Sequence, residues 1–274
     1  MSAIITLTTD FGTRDAYVAE MKGVMLGIAA TSGQPINLVD LTHEIAAHDV
    51  TEGALALDAA VPFFPAGSIH LAVVDPGVGT ERRGLVVRTE RALFVGPDNG
   101  LFTPFLDAAG RWEAWNLRAE EYRLAVVSRT FHGRDIFAPA AAHLAAGVPP
   151  EGFGPPVQDP VRLAWTTVRA VTGAVAGAVL HVDRFGNLTT NMSERELEAV
   201  LAEVDGDPTQ IVVIVEGQVL PFVRSYFDLP EGEGCALLGS IGRLEVAVNR
   251  GNAARVFGVT RGAPVRVRIV PAEG

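Results

Sequence analysis

The chain predicts an α/β fold in which an N-terminal, mostly parallel sheet flanked by helices precedes a smaller β-rich C-terminal domain, a barrel or sandwich. In the first half, short apolar runs alternate with segments of helical periodicity. A proline-rich stretch then forbids regular structure at 148–160. Beyond it, short apolar runs are separated by glycine-marked turns, which is typical of a small antiparallel barrel or sandwich.

The N-terminal half reads as a series of strand–helix–strand units. The predicted strands are 4–10, 36–42 and 69–75, and the predicted helices are 15–30, 49–64 and 135–147. Pro62 stops the second helix and Gly147 ends the third. Because a helix between two strands lets them run in the same direction, this order favours a mostly parallel sheet.

The second half reads as strands with one helix near 193–203. The predicted strands are 173–183, 210–217, 234–240, 243–249 and 263–270. We therefore expect an N-terminal domain at 1–155, a linker at 156–167 and a C-terminal domain at 168–274.

Composition excludes several functional classes. The net charge of −10, with no run of basic residues, argues against nucleic acid as a partner. The apolar stretches are strand-sized, so we expect no membrane span, and no basic-then-apolar leader opens the chain. The single cysteine, Cys235, rules out an internal disulfide framework and a cysteine-rich metal site. A cytoplasmic protein is the default expectation.

Four familiar motifs occur only as imperfect matches. In HEIAAH (43–48) the histidines are five residues apart, so on a helix they would point about 140° apart and could not share a metal ion. The fragments DFG (10–12) and HGRD (132–135) occur in the reverse of the kinase order. GVGTERR lacks the Gly-Lys-Ser/Thr of a phosphate loop, and LLGSIG places its serine in the wrong frame for a nucleophile elbow.

Three aspartates lie at or near the C-terminal ends of predicted strands: Asp10, Asp40 and Asp75. Because ligand groups cluster where parallel strands end, their common position predicts one shared crevice. Asp75 opens the stretch DPGVGTERR, which brings two arginines, Arg82 and Arg83, close behind it. Taken singly, Asp75 could be a turn residue and the arginines solvated surface charges.

Seven blocks, taken together and in order, resemble one family. They are LTTDFGTRDAYVAEMKGVM, VDLTHEIAAHDVTEGA, HLAVVDPGVGTERRGLVV, FVGPDNGLFTPF, RTFHGRDIFAPAAAHLAAG, VDRFGNLTTN and GSIGRLEVAVNRGNAA. The chain resembles the S-adenosyl-L-methionine (SAM) hydrolases that form adenosine, also called SAM hydroxide adenosyltransferases. These are relatives of the fluorinase and chlorinase.

The resemblance implies a homotrimer that binds SAM between the N-terminal domain of one subunit and the C-terminal domain of its neighbour. It implies that Asp75, Arg82 and His132 surround an attacking water. Asp10 corresponds to the carboxylate that grips the ribose diol. The remaining binding positions are Asp183 and Ser240 at the methionine end, and Phe185, Asn187, Phe227 and Val248 around the adenine. SAM is the substrate, and neither a cofactor nor a metal ion is implied.

The implied reaction is attack of water on the ribose C5′, which releases methionine as a neutral thioether. We expect Asp75 to orient and polarise the water, with His132 as a second candidate base and Arg82 keeping Asp75 ionised. Two alternatives compete with this reading. A halide could replace water, although Asp75 would repel an anion. A non-catalytic SAM or adenosine sensor would need Asp10 and Asn187 for binding. It would not need Asp75, Arg82 and His132.

Overall fold

The structure is a computed structural model that describes residues 2–164, 168–171, 173–204 and 207–270. The chain divides into two compact units, with the division between Leu163 and Ala164. Within the described residues, no helix has the length and apolar character needed to cross a membrane.

The first unit is built on a six-stranded mixed sheet. Its strands are β1 (Ala3–Thr9), β2 (Ile36–Thr42), β3 (Ser68–Val73), β4 (Gly84–Thr89), β5 (Ala92–Pro97) and β6 (Trp112–Asn116). The spatial order is β2-β1-β3-β5-β4-β6. The first four of these run parallel, whereas β4 is antiparallel to both β5 and β6.

Helices cover both faces of this sheet. They are α1 (Tyr17–Ser32), α2 (Val50–Ala60), α3 (Thr103–Ala108) and α4 (Ala138–Ala145). Alternate strand residues point to opposite faces. One face therefore buries Leu71 and Val73 against α1 and α4, whereas the other buries Ala72 and Val74 against α2 and its neighbours.

The predicted α/β class is confirmed, and the differences lie at element ends and along one side of the sheet. Strand 36–42 has the predicted bounds. The second helix ends at Ala60 and passes into a 3₁₀ turn, Val61–Phe63, because Pro62 lacks the amide hydrogen that an α-helix needs. The third helix begins at Ala138, after a π-helical turn at Gly133–Phe137. The predictions did not include β4, β5 and β6.

The second unit is an antiparallel, barrel-like sheet. Its strands are β7 (Arg169–Val171), β8 (Ala174–Val182), β9 (Leu188–Ser193), β10 (Ile211–Val215), β11 (Gln218–Pro221), β12 (Gly234–Leu238), β13 (Arg243–Val248) and β14 (Pro264–Ile269), with helices α5 (Glu194–Glu203) and α6 (Ala253–Phe257). The order is β11-β10-β14-β8-β9-β13-β12, with β7 beside β8. After β11, the Val223 amide donates to the Ala236 carbonyl of β12 over 2.8 Å, which nearly closes the barrel.

The segment predicted as a linker, 156–167, lies partly along the first unit, and its residues 165–167 are outside the described residues. The Val157 amide donates to the Ala114 carbonyl over 2.8 Å, and Val157 is buried. The Leu163 amide donates to Thr103 Oγ1 over 2.8 Å. These bonds extend the first unit beyond the proline-rich stretch.

Candidate active site

A buried ion pair lies just beyond the carboxyl end of β3. Arg82 Nε donates to both carboxylate oxygens of Asp75, at 2.9 and 3.1 Å, and its Nη2 also donates to Oδ2. Only 5% of the Asp75 side chain and 12% of the Arg82 side chain are exposed. Such a multiply bonded pair holds both groups in one orientation.

The loop between the two residues folds back so that Arg82 can reach Asp75. The Val78 amide donates to the Asp75 carbonyl, and the Thr80 hydroxyl donates to the Gly77 carbonyl over 2.7 Å. Gly79 has φ of +77°, and a Cβ there would lie 2.4 Å from the Arg129 carbonyl oxygen. Glycine is required because the loop turns left-handed while touching the backbone of the next loop of the site.

His132 completes this cluster at the start of the π-helical turn. Arg82 Nη2 lies 2.8 Å from His132 Nδ1. Burial lowers the pKa of His132, and the charge of Arg82 lowers it further, against opposing contributions from Asp75 and Asp135. A guanidinium can only donate, so Nδ1 accepts and the neutral ring carries its proton on Nε2. Arg82 also lies over the Phe137 ring, 5.0 Å from its centroid.

Asp10 follows β1, the strand next to β3, so the two carboxylates leave the same edge of the sheet. The His48 amide donates to Asp10 Oδ2 over 2.8 Å. The next residue, Phe11, contacts the ring of Phe131, with centroids 5.7 Å apart. Because Phe131 precedes His132, this aromatic contact ties the Asp10 loop to the His132 loop.

Asp40, the third strand-end aspartate, has a different environment. It lies within β2 and binds Lys22 Nζ over 2.6 Å. Partial burial raises its pKa, but the nearby side chains of Lys22 and His43 outweigh that effect, so the pKa lies below its usual value. His43 itself reaches Thr9 at the end of β1, with Nδ1 2.9 Å from Oγ1. Sequence reasoning did not assign a role to His43 or Thr9, although the HEIAAH motif drew attention to His43.

In the second unit, three of the predicted binding residues share the turn between β8 and β9. Asp183 Oδ1 accepts the amide hydrogens of Phe185 and Asn187, each over 2.8 Å, and the Asn187 side-chain amide donates to Oδ2 over 3.3 Å. Gly186 has φ of +88° and packs against Asn252, which leaves no room for a Cβ. The Phe185 ring is 73% exposed.

The other predicted binding residues of this unit differ in accessibility. Phe227 is 71% exposed, and Ser240 is exposed in the turn between β12 and β13. Val248 is only 4% exposed and its side chain packs into the core of this unit, so its backbone is the part able to face a ligand.

Nearby, the Tyr226 hydroxyl donates to Glu245 over 2.5 Å. Burial raises the pKa of Glu245, and Asp183 raises it further, against the bond from Tyr226.

Two other features of the first unit lie outside this cluster. Arg83 turns away from Asp75 and binds Asp98 and Asp159, over 2.7 and 2.8 Å. A cavity of about 220 Å³ has a mostly apolar lining that includes Phe64 and Phe94, together with His70 and the polar residues Thr89, Glu90 and Arg91. His70 lies in β3 before Asp75, and burial lowers its pKa to about 4. In the described residues, no group of three or more histidine, cysteine or acidic side chains could hold a metal ion.

Comparison with protein families decides the classification. The model of the SAM hydroxide adenosyltransferase N-terminal domain matches residues 5–154, and that of the C-terminal domain matches residues 177–266. The chain belongs to the SAM hydroxide adenosyltransferase family. The resemblance stated from the seven sequence blocks is therefore confirmed.

Curated relatives span nearly the whole chain. The (R)-S-adenosyl-L-methionine hydrolase of Thermus thermophilus is 44% identical over 94% of this chain and 97% of its own. The enzyme of the same name from Salinispora tropica is 42% identical over 96% and 97%. The fluorinase of Actinoplanes sp. is 30% identical over 96% and 97%. A solved structure, an uncharacterised conserved protein from Thermotoga maritima, matches with a TM-score of 0.87 and 33% identity over 96% and 99% of the two chains.

Proposed function

We propose that this protein hydrolyses SAM to adenosine and L-methionine. The observation that carries the proposal is the buried Asp75–Arg82 pair with neutral His132 at the sheet edge beside Asp10. It is supported by relatives at 35–44% identity that carry the name (R)-S-adenosyl-L-methionine hydrolase. The more distant fluorinases are 28–30% identical.

The reaction needs a positioned water more than it needs an acid. The water oxygen forms a bond to the ribose C5′ while the bond from C5′ to the sulfonium breaks, and the electron pair leaves with sulfur as the neutral thioether of methionine. Of the two protons of the water, one is lost to an acceptor during the attack and the other remains on the 5′-hydroxyl of adenosine. Holding water in line with the C5′–S bond replaces a bimolecular encounter and contributes several kcal/mol.

Asp75 is the group best arranged to take the proton that the water loses. His132 Nδ1 already accepts from Arg82, and its Nε2 carries hydrogen, so the neutral ring can donate to an oxygen but has no free lone pair in the ring plane. The carboxylate of Asp75 is an acceptor only, and Arg82 holds it in place through both oxygens. In this scheme His132 and Arg82 orient, and Asp75 polarises the water and receives its proton before release to solvent.

We assign substrate binding to Asp10 of the first unit and to the candidate residues of the second unit. One carboxylate, Asp10, can accept from both hydroxyls of the ribose diol. The exposed rings of Phe185 and Phe227 offer flat apolar surface for a purine, and the Asn187 amide can both donate and accept at its edge. Asp183 and Ser240 are proposed for the methionine end, and Val248 for an adenine contact through its backbone. No metal ion or cofactor takes part in this scheme.

We also propose, from the family resemblance, that the protein is a cytoplasmic homotrimer. Two rings that are more than two-thirds exposed, Phe185 and Phe227, support a surface that gains a partner on assembly or ligand binding. Sedimentation equilibrium with and without SAM tests the trimer. A monomer under both conditions would contradict it.

The decisive experiment is hydrolysis of SAM in H₂¹⁸O. We expect adenosine carrying one ¹⁸O in its 5′-hydroxyl and unlabelled methionine, both identified by mass spectrometry. Recovery of intact SAM from a saturable complex would favour a sensor instead. Formation of a 5′-halo-nucleoside when chloride or fluoride is added would favour halide as the nucleophile. Repulsion between Asp75 and an anion predicts that no such product forms.

A further inference from the structure

We infer that His43 is a positioning residue that holds Asp10 in place for the ribose diol. The inference rests on the proposed function of Asp10, and it goes beyond it by naming what fixes this carboxylate. The segment 43–48, which is the HEIAAH motif, makes several contacts with the turn 9–12 that carries Asp10.

His43 binds the residues on both sides of Asp10. Its carbonyl accepts the Gly12 amide hydrogen over 2.7 Å, and its Nδ1 lies 2.9 Å from Thr9 Oγ1. The same Thr9 oxygen accepts the Phe11 amide hydrogen over 3.3 Å. The His43 ring therefore holds the turn before Asp10, and the His43 carbonyl holds it after Asp10. Because both attachments belong to one residue, the direction of the carboxylate depends on His43.

The other histidine of the motif acts on the carboxylate directly, through its backbone. The His48 amide donates to Asp10 Oδ2 over 2.8 Å, from a left-handed conformation with φ of +68°. The His48 ring is 73% exposed and its Nδ1 is 3.9 Å from Oδ2. The bond fixes one carboxylate oxygen, Oδ2, and the other, Oδ1, is the oxygen that we assign to the ribose hydroxyls.

The His43 ring is itself held from its far side. It is 5% exposed, and its Nε2 lies 3.0 Å from Asp40 Oδ1, within ion-pair range although outside hydrogen-bond alignment. Asp40 is anchored in turn by Lys22. The register of β1 against β2 shifts between Leu7 and Thr8, just before this contact. Such irregularities re-aim side chains next to functional sites.

A buried histidine can instead be purely structural, and His70 provides the matched comparison. It is 1% exposed and its Nδ1 lies 2.8 Å from Thr6 Oγ1, the same type of pairing three residues earlier on β1. Within the described residues, the contacts of the His70 side chain are with Thr6, Phe64 and Phe94 and not with Asp10 or its turn. The variants His43→Leu and His70→Leu therefore remove equivalent bonds, and only the first should disturb the diol contact.

The test compares the binding of adenosine with that of 2′,3′-dideoxyadenosine by calorimetry. For the unmodified protein we expect adenosine to bind about 10–100-fold more tightly, because a charged acceptor loses its hydroxyl partners in the analogue. In His43→Leu this ratio should fall below about threefold, while His70→Leu keeps it. His43→Asn should restore most of the ratio, since its amide can reach Thr9.

Turnover provides a second readout. Because the diol contact is the same in the ground and transition states, His43→Leu should raise KM for SAM about tenfold and change kcat less than about threefold. Thr9→Val, which keeps a strand-compatible shape, should reproduce the loss of discrimination and carries the test if His43→Leu does not fold.

Undiminished discrimination in folded His43→Leu or Thr9→Val would overturn the positioning role while leaving the proposed hydrolysis intact. Absence of discrimination in the unmodified protein would instead overturn the grip of Asp10 on the diol, and the inference with it.

Discussion

Replacing Asp75 by asparagine tests the central ion pair with the smallest change in shape. Arg82 donates to both oxygens of Asp75, through Nε and Nη2. Whichever way the asparagine amide is turned, its NH₂ group faces an N–H of Arg82, so at least one donor meets another donor. The guanidinium, 12% exposed, then keeps its charge without a counter-charge.

The magnitude follows from that burial. Removing one partner of a buried pair lowers the free energy of unfolding by about 3–5 kcal/mol. Because asparagine keeps one carbonyl oxygen and the pair is partly exposed, we expect a loss of about 2–3 kcal/mol for this variant. For a unit of this size each kcal/mol lowers the melting temperature by about 2–4 °C, so we expect a fall of roughly 4–12 °C. Loss of the water acceptor should lower kcat by about 10²–10⁴-fold.

The assay pairs thermal melting with adenosine release, followed by chromatography, and includes Asp98→Asn as a matched control. Asp98 is also buried and accepts from an arginine, Arg83, over 2.7 Å and from the Val161 amide over 2.7 Å. Its variant should melt early but turn over SAM within about threefold of normal. Turnover of Asp75→Asn within tenfold of normal, or equal loss in both variants, would refute the assignment of Asp75 to the chemistry.

Three further predictions concern the same cluster. Arg82→Lys should lower kcat/KM by at least about tenfold in steady-state assays, because one ammonium cannot reproduce the planar contacts to Asp75 and His132; unchanged kinetics would contradict this. Burial and Arg82 lower the pKa of His132 below its ordinary 6.5, so the neutral ring persists as the pH falls through 6.5. The decrease of kcat/KM at acid pH that depends on His132 should therefore have its midpoint below 6.5. A midpoint above 6.5 would show the opposite shift. Gly79→Ala should lower the melting temperature and kcat together, because its Cβ would lie 2.4 Å from the Arg129 carbonyl oxygen; normal values for both would show that the loop can move aside.

The local pattern predicted much of the fold correctly. Strand β2 has its predicted bounds, the C-terminal strands β8, β10, β12, β13 and β14 lie within a few residues of theirs, and α5 is close to the predicted helix near 193–203. The local pattern did not predict β4, β5 and β6 of the first unit or β7, β9 and β11 of the second. Their antiparallel pairing joins residues such as Val87 and Ala114, and a short apolar run does not specify so distant a partner.

For the site, the family resemblance supplied candidate residues, and their roles remain predictions. Geometry separated them in ways that the sequence could not. Arg82 and Arg83 are adjacent in sequence, yet one binds Asp75 and the other binds Asp98. The resemblance places Val248 with Phe185 around the adenine, but Phe185 is exposed whereas the Val248 side chain lies in the core.

By itself the sequence determined the fold class and the family, because periodicity, turn residues and ordered motif blocks can be read directly along the chain. Only the tertiary structure decided which groups meet. Contacts such as Arg82 with His132 span 50 residues, and the tautomer of that imidazole follows from the guanidinium that faces it. Likewise His43 became informative only when the end of β1 was seen to pack beside it, because side-chain hydrogen bonds depend on distances that neither composition nor spacing contains.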